Sequence, residues 1–186
     1  CAIDVLLLEQ DYQKNEREGL RMLQEAEKLN NPFGISEAYQ ALATLYKNTF
    51  RHAEAAELLE KALPLAIAQG QFNPVTNIRQ SLLFIYHETQ DFENWNRTLQ
   101  EFEAYMQQQN AADPYMRQLT LVILYSSYLE YCNSTEDYVR GEHYLNLVEK
   151  YIQGIDAPLY EINFNSIAAS YYRKTEQYEK ALAKID

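Results

Sequence analysis

The sequence predicts an all-α fold, a solenoid in which about five pairs of antiparallel helices stack along the chain. Two observations support this prediction. Four tyrosines recur at separations of 40, 45 and 40 residues, each inside a similar two-helix pattern: Tyr46, Tyr86, Tyr131 and Tyr171. The 186 residues contain only five glycines and five prolines, and 47% of them are apolar. A regular repeat of about 20 to 50 residues indicates a solenoid, because each unit exposes an apolar face that only its neighbours can cover.

The clearest repeat lies within residues 36–66. Its first helix carries four residues at the i, i+3, i+4, i+7 spacing of one helix face: Tyr39, Leu42, Ala43 and Tyr46. A polar break follows, and a second helix then rebuilds the same kind of face: Ala55, Leu59, Ala62 and Leu63. The small side chains of Ala43 and Ala55 allow two helices joined by a short turn to approach closely.

The other repeats follow this pattern less closely. We place the approximate repeats at residues 1–30, 31–70, 71–110, 111–153 and 154–186, the last of them incomplete, and treat residues 1–186 as one continuous solenoid. Trp95 replaces the small residue of the third repeat, so we expect its ring to lie in the interior. Added residues in the fourth repeat predict a longer first helix. The first repeat matches least well, through Leu6, Leu7, Gly19, Leu23, Ala26 and Leu29.

Prolines and glycines mark where the helices begin and end. From the second repeat onward, a proline stands near the start of each first helix: Pro32, Pro74, Pro114 and Pro158. Proline suits the first helical turn because the N–H that it lacks has no partner within the helix there. Gly70 and Gly154 follow second helices, where a left-handed residue commonly ends a helix.

At these positions the chain resembles the tetratricopeptide repeat (TPR) family. The residues that carry the resemblance are Tyr39, Leu42, Ala43, Tyr46, Ala55, Leu59 and Ala62. The usual period of that family is about 34 residues, so the longer spacing is similar to the long-helix variety found in bacterial signalling and regulatory proteins. The resemblance implies a right-handed superhelix, whose first helices line a concave groove that contacts an extended peptide or a partner helix.

The alignment of the repeats gives the residues that this resemblance places in the groove. In residues 31–110 they are Gln40, Thr44, Lys47, Asn48, Asn77, Gln80, Phe84 and His87. In residues 111–186 they are Tyr125, Leu129, Asn133, Asn165, Ala169, Tyr172 and Arg173. Amides are frequent among them, and an amide both donates and accepts, which suits the backbone of an extended peptide. The alternative is that these residues form only the polar face that every amphipathic helix has.

The sequence shows no signature of catalysis, of a cofactor or of a metal site. Nucleophile-base motifs and phosphate-binding glycine loops are missing, and the three histidines lie far apart. We therefore expect a non-catalytic module that binds a protein or peptide, as the sensory or interaction region of a larger bacterial signalling protein. The alternative is a structural or self-associating segment, with a homo-oligomer as one form, that positions an attached kinase or DNA-binding domain. Most of the 16 tyrosines are expected in the core.

Charge and hydropathy bear on the partners. Asp and Glu outnumber Lys and Arg by 27 to 16, and the net charge of −11 disfavours binding to nucleic acid or to anionic membranes. No apolar run approaches the roughly 18 residues of a membrane-spanning helix, so we expect no membrane insertion by this segment. A lipid anchor at Cys1 and a boundary within a longer chain both fit the first residue. The compartment stays open between the cytoplasm and a bacterial periplasm.

Overall fold

The computed structural model describes residues 2–109 and 113–185, with side chains from residue 11 onward. Within these residues the chain forms nine helices and no strand, which confirms the predicted all-α fold. The helices are α1 (Ala2–Lys28), α2 (Pro32–Asn48), α3 (His52–Ala68), α4 (Phe72–Glu88), α5 (Phe92–Gln108), α6 (Pro114–Thr135), α7 (Tyr138–Ile152), α8 (Pro158–Lys174) and α9 (Tyr178–Ala183). The expectations for Cys1, and for the side chains of Leu6 and Leu7, lie outside the described residues.

The helices group into two compact units, Cys1–Thr89 and Gln90–Asp186, here called unit 1 and unit 2. In unit 1, α1 packs on α2, α2 on α3, and α3 on α4. In unit 2, α5 packs on α6 and α6 on α7, whereas α8 packs on α6, α7 and α9. Packing of each helix mainly on its neighbours along the chain is typical of helical repeats.

Helix lengths explain the 40-residue period. The helices α2, α3, α4 and α5 have 17 residues each, and three residues connect each of them to the next. Two such helices with two such connections make up one period. The first helix of the fourth repeat, α6, has 22 residues, whereas α2, α4 and α8 have 17. This difference confirms the prediction of a longer first helix in that repeat.

Every turn from a first helix to a second helix contains one residue in the left-handed region. These residues are Phe50, Gln90, Glu136 and Glu176, with φ between 54° and 61°. Three of the turns also share a backbone bond that closes the end of the first helix: Arg51 N donates to Tyr46 O, Asp137 N to Cys132 O, and Gln177 N to Tyr172 O. That bond belongs to the Schellman ending of a helix. A left-handed L-residue costs about 1 to 2 kcal/mol, so packing of the two helices must offset the cost at each turn.

The connections from second to first helices follow the sequence prediction. Gly70 and Gly154 have φ of 66° and 80°, as expected for glycines that end helices. Pro32, Pro114 and Pro158 begin their helices, and the remaining proline of the set lies in the first turn of α4.

The first repeat differs from the expected helix pair, because α1 is a single helix of 27 residues. The sequence of α1 contains no proline, and its many Glu, Gln, Lys and Arg residues favour helix. Gly19 interrupts this run, yet one glycine costs a helix only about 1 kcal/mol relative to alanine. A β-carbon on Gly19 would lie 2.6 Å from Cδ2 of Leu42, so the glycine allows α1 to pack closely on α2.

The indole of Trp95 lies in the interior of unit 2, as predicted. Its side chain is 1% exposed. The ring of Phe92 is stacked on it with centroids 6.3 Å apart, and the ring of Tyr131 meets it edge-on at 5.3 Å. The large ring at this position thus packs within an aromatic cluster.

We expect the fluorescence of Trp95, the only tryptophan, to be blue-shifted in the folded chain and poorly quenched by iodide, because the indole is buried. Emission spectra and Stern–Volmer plots in buffer and in denaturant test this expectation. An emission maximum that is the same in both solvents would contradict the buried position.

We expect Ala55→Leu to destabilise the chain by about 1 to 3 kcal/mol, because the added atoms have no space at a fully buried position. Ala53→Leu is the matched control, since Ala53 is an exposed residue of the same helix. The measurement is the free energy of unfolding in urea. Equal free energies for the two variants would contradict the close packing at Ala55.

Candidate functional site

Each periodic tyrosine of unit 1 contacts the helix that precedes its own, α1 for Tyr46 and α3 for Tyr86. The ring of Tyr46 lies under the guanidinium of Arg51 at 3.8 Å, and Arg51 also pairs with Glu16 of α1 at 2.7 Å. Burial, together with a hydrogen bond to Glu16, raises the pKa of Tyr46. The hydroxyl of Tyr86 donates to Oε1 of Glu60 on α3 at 2.9 Å. Both tyrosines therefore serve packing between repeats.

The periodic tyrosines of unit 2 make the same kind of contact. Tyr131 packs on Trp95 of α5, and Tyr171 reaches α7. The hydroxyl of Tyr171 donates to the carbonyl of Tyr138 at 3.2 Å, and a β-carbon on Gly141 would lie 2.9 Å from the Tyr171 ring. The tyrosine-rich composition thus reflects helix packing at these four positions, as the sequence predicts.

The first-helix candidates of unit 1 are largely accessible. We call this set the unit 1 surface: Gln40, Thr44, Lys47 and Asn48 on α2, with Asn77, Gln80, Phe84 and His87 on α4. Four of its members are exposed, namely Thr44, Asn48, Asn77 and Phe84, and the other four are half-buried. Phe84 is 47% exposed.

One contact joins the two helices of the unit 1 surface. Nζ of Lys47 on α2 lies 5.4 Å from the centroid of the Phe84 ring on α4, a cation–π geometry. The side chain of Gln40 is held by Ser36, because its amide nitrogen donates to both the carbonyl and the hydroxyl oxygen of Ser36 at 3.3 Å. The structure therefore brings Lys47 of α2 and the exposed side chain of Phe84 on α4 into contact.

Four of the first-helix candidates in unit 2 are buried: Leu129, Asn133, Ala169 and Tyr172. The amide nitrogen of Asn133 donates to the carbonyl of Ile167 at 3.1 Å, which ties α6 to α8. Tyr172 is 9% exposed and packs edge-on against Tyr171 at 5.7 Å. The sequence-based assignment of Leu129, Asn133 and Tyr172 to an open groove needs correction, because α8 packs directly on α6 and buries them. Ala169 is also buried, but it lines a cavity between α8 and α9.

Tyr125 belongs to a cluster of rings between α6 and α7. Its ring centroid lies 6.2 Å from that of Tyr144 and 5.7 Å from that of Tyr151. Tyr128 is stacked on Tyr144 at 4.3 Å, and its hydroxyl donates to Oε2 of Glu103 at 3.0 Å. Burial raises the pKa of both Tyr125 and Tyr128. The half-buried Tyr125 therefore contributes mainly to the packing of α6 on α7.

Three of the unit 2 candidates line a cavity. It has a volume of about 870 Å³ and lies between α8 and α9; we call it the unit 2 cavity. Its lining residues are Ile162, Asn165, Ser166, Ala169, Ser170, Arg173, Tyr178, Ala181, Leu182, Lys184 and Ile185. Asn165, Ala169 and Arg173 were expected from the sequence, whereas the apolar residues of α9 were not. Periodicity alone does not show which apolar face of a short helix a neighbour covers.

Cys132 is a buried residue of the α6–α7 interface. Its side chain is inaccessible, and burial raises the pKa of its thiol to about 11. A thiol with such a pKa is protonated at neutral pH and is a poor nucleophile. Within residues 11–109 and 113–185, no group of three or more His, Cys, Asp or Glu side chains has a metal-binding arrangement.

No helix in the described part of the chain is long and apolar enough to cross a membrane.

Comparisons with known proteins bear on the fold. No protein-family model matches the sequence, and no curated protein matches it. A solved structure described as BtubC (BKLC) from P. vanneervenii is similar to this chain, with a TM-score of 0.74 and 22% sequence identity. The match covers 98% of this chain and 74% of that one. At this identity the likeness shows the fold alone, and it supports an all-helical repeat fold.

We expect Cys132 to react slowly with Ellman's reagent in the folded chain at pH 8, because the thiol is buried and protonated. The measurement uses a Cys1→Ser variant, so that Cys132 is the only thiol. Reaction should become fast in denaturant, which serves as the control. Equal rates in buffer and in denaturant would contradict the burial of Cys132.

Proposed function

We propose that this chain is a non-catalytic TPR-type scaffold that binds a protein or peptide through the unit 1 surface. The observation that carries the proposal is the Lys47–Phe84 contact, which joins two neighbouring first helices into one accessible patch. The patch combines an exposed aromatic ring, one cation and several amides. The resemblance to the TPR family supports the proposal, because the first helices of that family line the binding groove.

The chemistry of the unit 1 surface suits an extended peptide. The amides of Asn48, Asn77 and Gln80 can each donate to and accept from a peptide backbone. The exposed face of Phe84 offers an apolar contact for one side chain of the partner. Lys47 and His87 are the only basic side chains of the patch, so few ion pairs form and affinity should depend weakly on salt.

The resemblance to long-helix TPR proteins also supports a proposal for the larger protein to which this chain belongs. We place the chain as the sensory or interaction region of a larger bacterial signalling protein, in which peptide binding at unit 1 is the recognition step. The acidic balance of 27 Asp and Glu against 16 Lys and Arg supports a protein partner over nucleic acid.

We expect peptides selected on the parent chain from a random library to bind the double variant Asn77→Ala, Phe84→Ala at least about tenfold more weakly. Loss of a central aromatic contact and an amide accounts for that factor. Ile67→Ala is the matched control, because Ile67 is a similarly exposed apolar residue of unit 1 outside the surface. The measurement is fluorescence anisotropy at two salt concentrations, with circular dichroism to verify folding.

Unchanged affinity of the double variant for every selected peptide would contradict peptide binding at the unit 1 surface. A steep fall in affinity with salt would contradict recognition through amides and an aromatic ring. Failure to select any peptide would favour the structural segment that positions an attached domain.

A further inference from the structure

The hydrogen bonds of Gln40 fix the orientation of its side-chain amide. The amide nitrogen donates to the carbonyl and to the hydroxyl oxygen of Ser36, both at 3.3 Å. The hydroxyl of Ser36, which is fully buried, donates in turn to the carbonyl of Ala62 on α3 at 3.4 Å. Backbone carbonyls only accept, so this hydroxyl has to accept from Gln40. The opposite orientation of the amide would place its oxygen against the carbonyl of Ser36.

The oxygen of the Gln40 amide is thereby left for a partner. Gln40 is half-buried, and within the described residues Oε1 accepts no hydrogen bond. Oε1 is also not one of the buried side-chain atoms that lack a hydrogen bond in this part of the chain. The Oε1 atom of Gln40 is therefore an acceptor that is held in place and can be reached from outside.

Thr44, one turn further along α2, presents a second acceptor. Its hydroxyl donates to the backbone carbonyl of Gln40 at 2.9 Å, which uses the single hydrogen of that hydroxyl. Thr44 is exposed, so the lone pairs of Oγ1 face solvent. The side-chain donors of Gln40 and Thr44 are thus used within α2, and these two residues offer only acceptors to a partner.

Gln80 has the equivalent position on α4, 40 residues later, but its amide is not held in this way. Thr76 stands where Ser36 stands on α2, and its hydroxyl donates to the carbonyl of Asn73 at 2.9 Å. In the described part of the chain no hydrogen bond joins Gln80 to Thr76, so the amide of Gln80 can present either its oxygen or its nitrogen. Of the two glutamines, Gln40 is the one with a fixed orientation.

We propose that Gln40 and Thr44 accept hydrogen bonds from two backbone N–H groups of an extended peptide, those of residues i and i+2. This inference rests on the proposed function, and it assigns the direction of the hydrogen bonds at that site. The spacing supports it. Four residues of an α-helix rise about 6 Å, and N–H groups on one edge of an extended chain recur about every 6.6 Å.

The two acceptors lie on the same face of α2 as the Lys47–Phe84 contact. Lys47 is seven residues beyond Gln40, which is about two helical turns. A peptide that runs along Gln40 and Thr44 therefore continues to the exposed side chain of Phe84. The acceptors then set the register of the peptide, and Phe84 receives one of its side chains.

Replacement of single peptide bonds by esters tests this proposal, because an ester lacks the N–H. The probe is the tightest-binding peptide selected on the parent chain, with each backbone amide changed in turn and affinity measured by anisotropy. We expect two sensitive positions, separated by one residue, at which the ester weakens binding by about three- to tenfold. The first penalty should vanish in Gln40→Ala and the second in Thr44→Val.

Two matched variants serve as controls. Gln80→Ala removes the equivalent amide of α4 and should keep both ester penalties, whatever its effect on overall affinity. Thr135→Val removes an exposed hydroxyl of unit 2 that makes the same local bond as Thr44, to the carbonyl of Tyr131 at 3.0 Å. It should leave peptide binding unchanged.

Equal ester penalties in the parent and in Gln40→Ala would overturn the proposal. Weaker binding by Gln40→Ala without any ester-sensitive position would also overturn it, because Gln40 would then contact a side chain of the peptide. Sensitive positions that are not separated by one residue would contradict the pairing with Thr44. The proposed function fails differently, since the Asn77→Ala, Phe84→Ala variant would then bind the peptide as the parent does. Failure to select any peptide would overturn both.

Discussion

The contact of a first-helix tyrosine with the preceding second helix is the interaction on which the rest of the structure depends. Its tightest form is the Tyr171–Gly141 contact, where the ring leaves no space for a β-carbon and the hydroxyl is bonded to the carbonyl of Tyr138. One side chain thereby fixes both the distance between α7 and α8 and their position along each other. The left-handed turn that follows each of these tyrosines costs free energy, which this packing offsets.

The same constraint determines which surfaces remain accessible. In unit 2 the contact brings α8 onto α6 and α7, so that Asn133 and Tyr172 become core residues. In unit 1 the long side chains of Lys47 and Phe84 meet between α2 and α4, and the exposed ring leaves an accessible patch.

Much of the fold could be predicted from the sequence, because helix periodicity and proline positions are local properties. Pro32 begins α2 and Gly70 has the left-handed conformation expected after α3, and the burial of Trp95 followed from its position. The single helix α1 was missed, since its weak repeat pattern outweighed the absence of proline from this part of the sequence. The unit 2 candidates were partly misplaced for another reason: burial of Leu129 depends on how closely α6 and α8 approach, and one helix alone does not contain that information.

A double-mutant cycle at Gly141 and Tyr171 tests the central contact most directly. In the parent chain, Gly141→Ala should lower the free energy of unfolding, because the new methyl group lies about where the Tyr171 ring is. In a Tyr171→Ala background the same change should raise that free energy by up to about 1 kcal/mol, since alanine favours helix over glycine. Urea unfolding of the four chains gives the result. A change of the same sign and size in both backgrounds would contradict the account, because it would show that Gly141 and Tyr171 do not act on each other.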